Sequence, residues 1–426
     1  MQPASEPPSL IPPRRAPLVF IYITVVLDML ALGIVIPIFP ELIREFLGGD
    51  TQRAAELYGL FNTVWALMQF TCSPLLGALS DRFGRRRVIL ISNFGLGLDY
   101  ILMALAPSLS WLFVGRVISG ITSAGHTTAA AYIADVTPPE RRAAAFGMLG
   151  ASFGLGFVMG PALGGLLGGI DPRLPFWVAA VLTLVNSAYG LFVLPESLPP
   201  ERRRAFSLRR ANPVGSLKLL RSHPELLGLS AVNMLNNLAH ESLPSVYVLY
   251  TVYRYAWSEQ WVGISLAVIG VASMIVQGGL VRHVVRAIGE RRAALLGLVF
   301  GSLGFAIFGL SPTGMWFLLG IPIFCLWGFY GPAAQGLMTR HVGPSEQGEL
   351  QGAINSLRGI AGMLGPVVFT LIFAWAIDAH RTVQVPGAPF LLGACLLAVA
   401  GPLAWWVTRH TPEHQPAMTS VPVEHA

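Results

Sequence analysis

The chain is 426 residues long, with 54% hydrophobic and 12% charged residues, a mean hydropathy of +0.61 and a formal net charge of +6. Soluble globular chains carry about 25% charged residues, so this balance, with 46 Gly and 32 Pro, excludes an ordinary soluble enzyme, a disordered chain and a disulfide-framed secreted domain. The three cysteines, Cys72, Cys325 and Cys395, lie in apolar runs too far apart for a metal motif, and the single lysine, Lys218, is followed by Leu219, so no GxxxxGK[ST] phosphate loop exists.

A helix crossing a hydrocarbon core of about 30 Å needs about 20 mostly apolar residues. Runs of that length recur at 17–38, 57–79, 88–106, 109–130, 144–169, 175–195, 226–250, 260–281, 293–311, 315–337, 351–377 and 387–408, which predicts an all-α membrane protein of twelve transmembrane helices. The first run is too long for a signal h-region and lacks a small-residue cleavage site, so it is read as a retained helix. The domain expectation is a tail at 1–16, a six-helix bundle at 17–195, a linker at 196–225, a second six-helix bundle at 226–408 and a tail at 409–426. Sorting cationic residues by side places 21 on one face, from Arg14 and Arg15 through residues 82–87 to Arg409. Only Arg44, Arg53, Arg173, Arg254 and Arg381 fall on the other. By the positive-inside rule both termini are expected in the cytoplasm, and the pI near 9.5 needs no nucleic-acid partner.

Matching signals recur in the two halves. The loop after the second helix reads GALSDRFGRRR at 77–87, and the loop after the eighth ends in Gly289, Glu290, Arg291 and Arg292. The fifth helix carries Gly156, Gly160 and Pro161, and the eleventh carries Gly359, Gly362, Gly365 and Pro366. Pro139, Glu140 and Arg141 after the fourth helix echo Pro344, Ser345 and Glu346 after the tenth. Two similar bundles facing one another suit a rocking carrier with its site near the midplane.

These motifs resemble the major facilitator superfamily, in particular its drug/proton antiporter branch and the tetracycline/proton antiporters within it. LDMLALGIVIPIFP from Leu27, GRVISGIT from Gly115, AYIADVTPPER from Ala131 and GPALGG from Gly160 carry the likeness, together with the 77–87 loop. The resemblance implies two pseudo-symmetric six-helix bundles in the major facilitator fold. It implies gating by Gly77, Asp81, Arg82, Gly84, Arg85 and Arg86, with Asp135 as a second-loop partner. It also implies that Gly156, Gly160 and Pro161 seal the pathway against leak, which tilts the direction toward export. Counting back from Gly289 puts Arg282 at the Gly77 position and Arg286 at the Asp81 position, so the second copy lacks the acid and the gate is expected to be asymmetric.

Ionisable groups at membrane depth are costly and are functional candidates. In the first half these are Asp28, Asp99 and Arg116, the last two at similar depth, and all three look like the intramembrane charges of tetracycline exporters. The second half departs from that pattern. The ninth helix has no acid, and Ser273 stands where a histidine is expected in the eighth. The seventh helix instead carries a polar stripe of Asn233, Asn236, Asn237, His240 and Glu241, and Arg358 interrupts the eleventh. Asp28, Asp99, His240 and Glu241 are the proton-coupling candidates. Asp28, Asn62, Gln69, Arg116, the stripe, Gln277 and Arg358 are the substrate-binding candidates. Glu241 alternating between a protonated and an Arg358-paired state would serve as a coupling switch, although their positions differ by roughly 14 Å in depth at 1.5 Å per residue.

The expected function is a secondary active, proton-coupled exporter of a small amphipathic molecule or drug, working by alternating access in a bacterial inner membrane. It is expected to be a monomer that needs no cofactor or metal beyond the proton gradient and does no enzymatic chemistry. A proton-coupled importer or facilitator of an organic anion is the alternative, suggested by Arg116 with Arg358. A receptor or scaffold would need neither Glu241 nor Asp28. Tetracycline itself is a doubtful substrate because the second-half site is rebuilt.

Overall fold

The computed structural model describes residues 15–123, 125–138, 141–203, 217, 219–220, 224–342 and 346–409. The predicted loop residues Pro139, Glu140, Pro344 and Ser345 and most of the linker and of both tails lie outside them. The described residues contain helices and no strand, and they make twelve passes. The first pass is Arg15–Val35, followed by a short helix Phe39–Phe46 that hydropathy did not predict. The second is Thr51–Phe83, capped by the Asp50 carboxylate, which accepts from the Arg53 amide at 3.0 Å; it runs beyond the predicted 57–79 at both ends. Arg85–Ala104 is the third, Leu109–Thr122 with Gly125–Val136 the fourth, Arg142–Gly168 the fifth and Leu174–Val193 the sixth.

In the second half the seventh pass is Pro224–His240 followed by Ser242–Tyr255. Pro244 cannot donate to the carbonyl four residues back, which lies at His240, and the helix breaks between those two stretches at Glu241. The eighth pass is Glu259–Ile275 continued through a π-helical turn, Val276–Leu280. The ninth is the part of Val281–Leu310 beyond Gly289, where a non-helical residue breaks the run. The tenth is Gly314–Cys325 and Tyr330–Thr339 joined by a 3-10 turn. Gln347–Ala376 and Ala388–Thr408 complete the set.

Duplication is visible in the backbone. Gly84 (φ +101°, ψ 148°) and Gly289 (φ +81°, ψ 163°) adopt the same left-handed conformation at the two equivalent loops, one that a side chain disfavours. Counterparts lie 205 residues apart (289 minus 84, and 366 minus 161). The same interval relates the lipid-exposed stripe Ile91, Phe94 and Leu98 of the third pass to Leu296, Val299 and Leu303 of the ninth.

Two seams join the halves, and each places a glycine against a proline carbonyl. A Cβ on Gly59 would sit 3.1 Å from the Pro366 carbonyl oxygen between the second and eleventh passes. Gly263 occupies the matching place against Pro161 between the eighth and fifth passes. Along these seams the halves meet at the face opposite the arginine-rich loops, where Pro40, Glu41, Arg44 and Thr51 approach Val248, Leu249 and Val252. On the basic face no such packing is seen: a Cβ added at Gly77, Gly147, Gly150, Gly278 or Gly279 would meet no atom of the described residues within 4 Å. The molecule is closed on one side and open on the other.

Candidate functional site

The loop at 77–87 builds a charged knot on the basic face. With Gly84 turning the chain, Arg85 begins the third pass, and its side chain reaches Asp81 Oδ1 at 2.6 Å, Asp135 Oδ2 at 3.1 Å and Ser80 Oγ at 2.5 Å. Arg86 donates to the Leu191 carbonyl of the sixth pass, and the Arg82 guanidinium lies 5.1 Å from the Phe83 ring centre. Glu196, which the sequence reading passed over, caps the same helix: its Oε1 accepts from the backbone amides of Arg85 (2.8 Å), Ser197 (3.1 Å) and Leu198 (3.1 Å). A carboxylate at a helix N-terminus satisfies an amide that has no partner within the helix and offsets the helix dipole. Asp81 contacts its own half in this conformation. A Cβ added at Gly77 would meet no atom of the described residues within 4 Å.

Deep in the first half, Asp28 Oδ1 accepts from Asn186 Nδ2 at 2.8 Å, and the same nitrogen donates to the Thr24 carbonyl at 3.1 Å. The carboxylate is therefore held between the first and sixth passes. Asp99 is 1% exposed, and neither of its oxygens has a hydrogen-bond partner among the described residues. Arg116 is near enough to influence it electrostatically, but its guanidinium stacks over the Phe39 ring at 4.0 Å and its Nε is also without a hydrogen-bond partner among the described residues. Asp99 and Arg116 are neighbours and not a closed ion pair. Arg116, Asn62, Tyr58, Tyr100 and Ser119 line one small pocket. Asp28 lies outside that lining. Gln69 is tied to Ser123 Oγ at 2.8 Å, beside the break in the fourth pass.

Glycine spacing organises the packing around Gly156, Gly160 and Pro161. Gly160 meets Gly33 backbone to backbone, and Gly156 meets the Val26 carbonyl and Met29, so the fifth pass lies directly on the first. In the second half Gly365 instead receives the Glu241 side chain, while a Cβ added at Gly362 would lie 3.8 Å from Glu241 Oε1. Glu241 stands at the break in the seventh pass, its amide shared between the carbonyls of Asn237 (3.2 Å) and Leu238 (3.1 Å). His240 lies 5.5 Å, ring centre to ring centre, from Trp327, whose Nε1 donates to Asn236 Oδ1 at 2.9 Å. Gln277, on the π-helical turn, packs against Gly328. Asn233 and Asn237 are half-buried. Arg358 is exposed and acts electrostatically on both His240 and Glu241, yet no charged contact of 4.0 Å or less joins it to Glu241 among the described residues. Ser273 Oγ donates to Cys325 Sγ at 3.5 Å.

The sequence reading missed Asn186, Glu196, Tyr58 and Trp327. Tyr58 is the clearest loss, because its hydroxyl donates to the Pro244 carbonyl at 3.1 Å and so ties the first-half pocket to the seventh pass three residues beyond Glu241. Glu290 was in plain view. One residue past the Gly289 already matched to Gly84, it takes the place of Arg85 and pairs with Arg340 at 2.9 Å, as Arg85 pairs with Asp135.

Residues 21–366 match the profile of the Major Facilitator Superfamily. The chain is 38% identical over 386 residues to the class C tetracycline resistance protein of Escherichia coli, covering 90% of this chain and 95% of that one. Two solved structures share the fold. The human organic anion transporter MFSD10 superimposes with a TM-score of 0.69 at 23% identity, covering 92% of this chain and all of that one (100%). A bacterial homologue of the human lysosomal transporter Spinster, inward-facing and occupied, gives 0.73 at 16% identity over 93% of this chain and 97% of that chain.

Proposed function

The chain belongs to the Major Facilitator Superfamily, and from that premise we propose that it is a proton-coupled antiporter that exports a small amphipathic drug-like molecule by alternating access. The observation that carries the reading is the pair of glycine–proline seams, which close one face of a molecule whose interior holds the Arg116 pocket and the His240–Arg358 cluster. The 38% identity to a tetracycline resistance protein supports export and a polycyclic amphipathic substrate class.

In this reading the basic face is cytoplasmic, both tails lie there, and the structure is the inward-facing state of a monomer in a bacterial inner membrane. No cofactor is required. Substrate enters from the cytoplasm between the halves and contacts the Arg116 pocket on one side and the seventh-pass stripe on the other. Protons arriving from outside neutralise carboxylates whose charge is costly at that depth. Glu241 is placed for this role because it lies at a helix break, against two glycines of the eleventh pass and within electrostatic range of Arg358. Asp28, clamped by Asn186, and Asp99, without a hydrogen-bond partner among the described residues, are the first-half carboxylates available to the same cycle.

The test is transport in inverted vesicles under an imposed pH gradient. Accumulation of a tetracycline-class or related amphipathic drug, with proton release from the lumen, is the expected result; drug movement indifferent to the gradient refutes proton coupling. Glu241→Gln should abolish uphill accumulation and leave drug–drug exchange within about threefold, since the amide mimics the protonated acid and removes only the charge-dependent step. Gradient-driven uptake unchanged in that variant would move the coupling role to Asp28 and Asp99.

A further inference from the structure

We propose that the second-half cluster around Arg358 is an anion receptor, so that the transported molecules include amphipathic aromatics bearing an ionised acid group. The proposal rests on the transport reading only for the destination of the ligand.

Three observations carry it. Arg358 lies 11 residues into the helix that begins at Gln347, about 16 Å along its axis at 1.5 Å per residue. A guanidinium at that depth that serves only structure is expected to be paired and buried. Arg358 is instead exposed, and its electrostatic neighbour Glu241 does not close on it within 4.0 Å among the described residues. The open basic face gives water, and therefore a solute, access to this level.

The second observation is register. Arg358, Gly362 and Gly365 fall at i, i+4 and i+7 on one face of the eleventh pass. Glu241 covers the two glycines, which puts its carboxylate one to two turns, or about 6 to 10 Å, along the helix from Arg358. A guanidinium arm can span that interval, yet no charged contact of 4.0 Å or less joins the two among the described residues, so Arg358 is not committed to Glu241 and one acid group can lie beside both. A ligand carboxylate taken by Arg358 would sit beside Glu241, so it is favoured when Glu241 carries a proton and opposed when Glu241 is charged. The guanidinium thereby has two alternative anionic partners.

The third observation is the neighbouring surface. Trp327, fixed by its bond to Asn236, stands beside His240, with Gln277 against the adjoining Gly328. Trp327 is itself buried, so it is the exposed His240 imidazole, backed by that fixed indole, that offers a planar surface to a ligand ring, and the amides supply hydrogen bonds around it. An acid group attached to an aromatic body matches the charge at Arg358 and the planar surface beside it.

The experiment is equilibrium binding to the purified full chain in detergent, with no gradient. Naphthoate, biphenylcarboxylate and indoleacetate are each compared with their methyl esters. At least one acid should bind about tenfold or more tightly than its ester, because bidentate guanidinium–carboxylate pairing is lost in the ester. Arg358→Gln should bring that acid and its ester within about twofold of each other while ester affinity is kept, and Arg358→Lys should restore only part of the preference. Glu241→Gln should strengthen acid binding severalfold and leave the ester unchanged. No acid outbinding its ester in the parent protein, including the absence of binding by any of them, overturns the proposal without a variant having to fold. A preference that survives Arg358→Gln overturns it too. Binding needs no proton gradient, so this result and the vesicle test of antiport can fail independently.

Discussion

Set side by side, the two loops that turn on Gly84 and Gly289 share a backbone and invert a charge. In the first half a cation, Arg85, is held by two carboxylates, Asp81 and Asp135; in the second an anion, Glu290, is held by Arg340. The pairing geometry is retained because both partners sit 205 residues from their counterparts (290 minus 85, and 340 minus 135). Arg86 and Arg291 extend the match, reaching the ends of the sixth and twelfth passes at the Leu191 carbonyl and at Thr408 Oγ1, the latter at 3.2 Å. What differs is the third member. Asp81 adds a second acid to the Arg85 knot at 2.6 Å, whereas its counterpart Arg286, although its sign is inverted along with that of Glu290, makes no charged contact of 4.0 Å or less with Glu290 among the described residues. A duplicated fold fixes where a pair must be, and the sign of the pair is free to drift as long as both members drift together.

The largest effect should come from reversing that sign one half at a time. The Arg85 side chain is 12% exposed and bonds to three side-chain partners, so Arg85→Glu should lower drug transport more than about 30-fold, the equivalent of about 2 kcal/mol for a charge-assisted network. Glu290→Arg should cost no more than about fivefold, because Arg340 is 40% exposed and such pairs contribute about 0–1 kcal/mol. The double swaps sharpen the contrast. Glu290→Arg with Arg340→Glu should return to parental rates, while Arg85→Glu with Asp135→Arg should not, since Asp81 would then face a glutamate at contact distance, whereas Arg286 makes no charged contact of 4.0 Å or less with Glu290 among the described residues. Equal rescue in both halves would show that the third member is irrelevant and that the loops are interchangeable.

A smaller effect is expected at Glu196, which has no described counterpart in the second half. Glu196→Gln keeps an acceptor for the Arg85 amide but removes a charge from a helix N-terminus, a loss of about 0.5–1 kcal/mol. Transport should fall about two- to fivefold, and the apparent melting temperature of the purified protein should drop by a few degrees. An unchanged melting temperature would mean that the cap does not hold the loop.

The span order, the duplication and the polar stripe were legible because each is written locally. Hydropathy over about 20 residues, a glycine at a tight turn and an i, i+4 spacing need no partner from elsewhere in the chain. Contacts between helices are a different matter. Asn186 meets Asp28 across 158 residues and Tyr58 meets Pro244 across 186, and both depend on how far one helix slides along another, which no local signal records. The break at Glu241 fell between these cases. Pro244 announces it, but the apolar run continues through to Tyr255, so hydropathy alone draws one helix across it.

The last predicted change tests the seam itself. Tyr58 precedes Gly59 and Val262 precedes Gly263, so the residue beside the seam glycine is a tyrosine in one seam and a valine in the other, and among the described residues only the first seam has a tyrosine bond from one half to the other. Opening this face separates Tyr58 from the Pro244 carbonyl, so the bond belongs to the closed arrangement and its loss favours the open one. Tyr58→Phe keeps the ring, which is 6% exposed, and deletes only the hydroxyl. A net hydrogen bond of about 0.5–1.5 kcal/mol corresponds to a population shift of about two- to tenfold. A cysteine at Val252, where the halves meet on this face, reports that shift: its labelling by a membrane-impermeant maleimide should rise by the same two- to tenfold factor in the Tyr58→Phe background, to order of magnitude. Identical labelling in the two backgrounds would mean that the bond survives opening or adds nothing to closure. The glycine–proline contacts would then hold both seams equally, and the asymmetry between the halves would be confined to the charged loops.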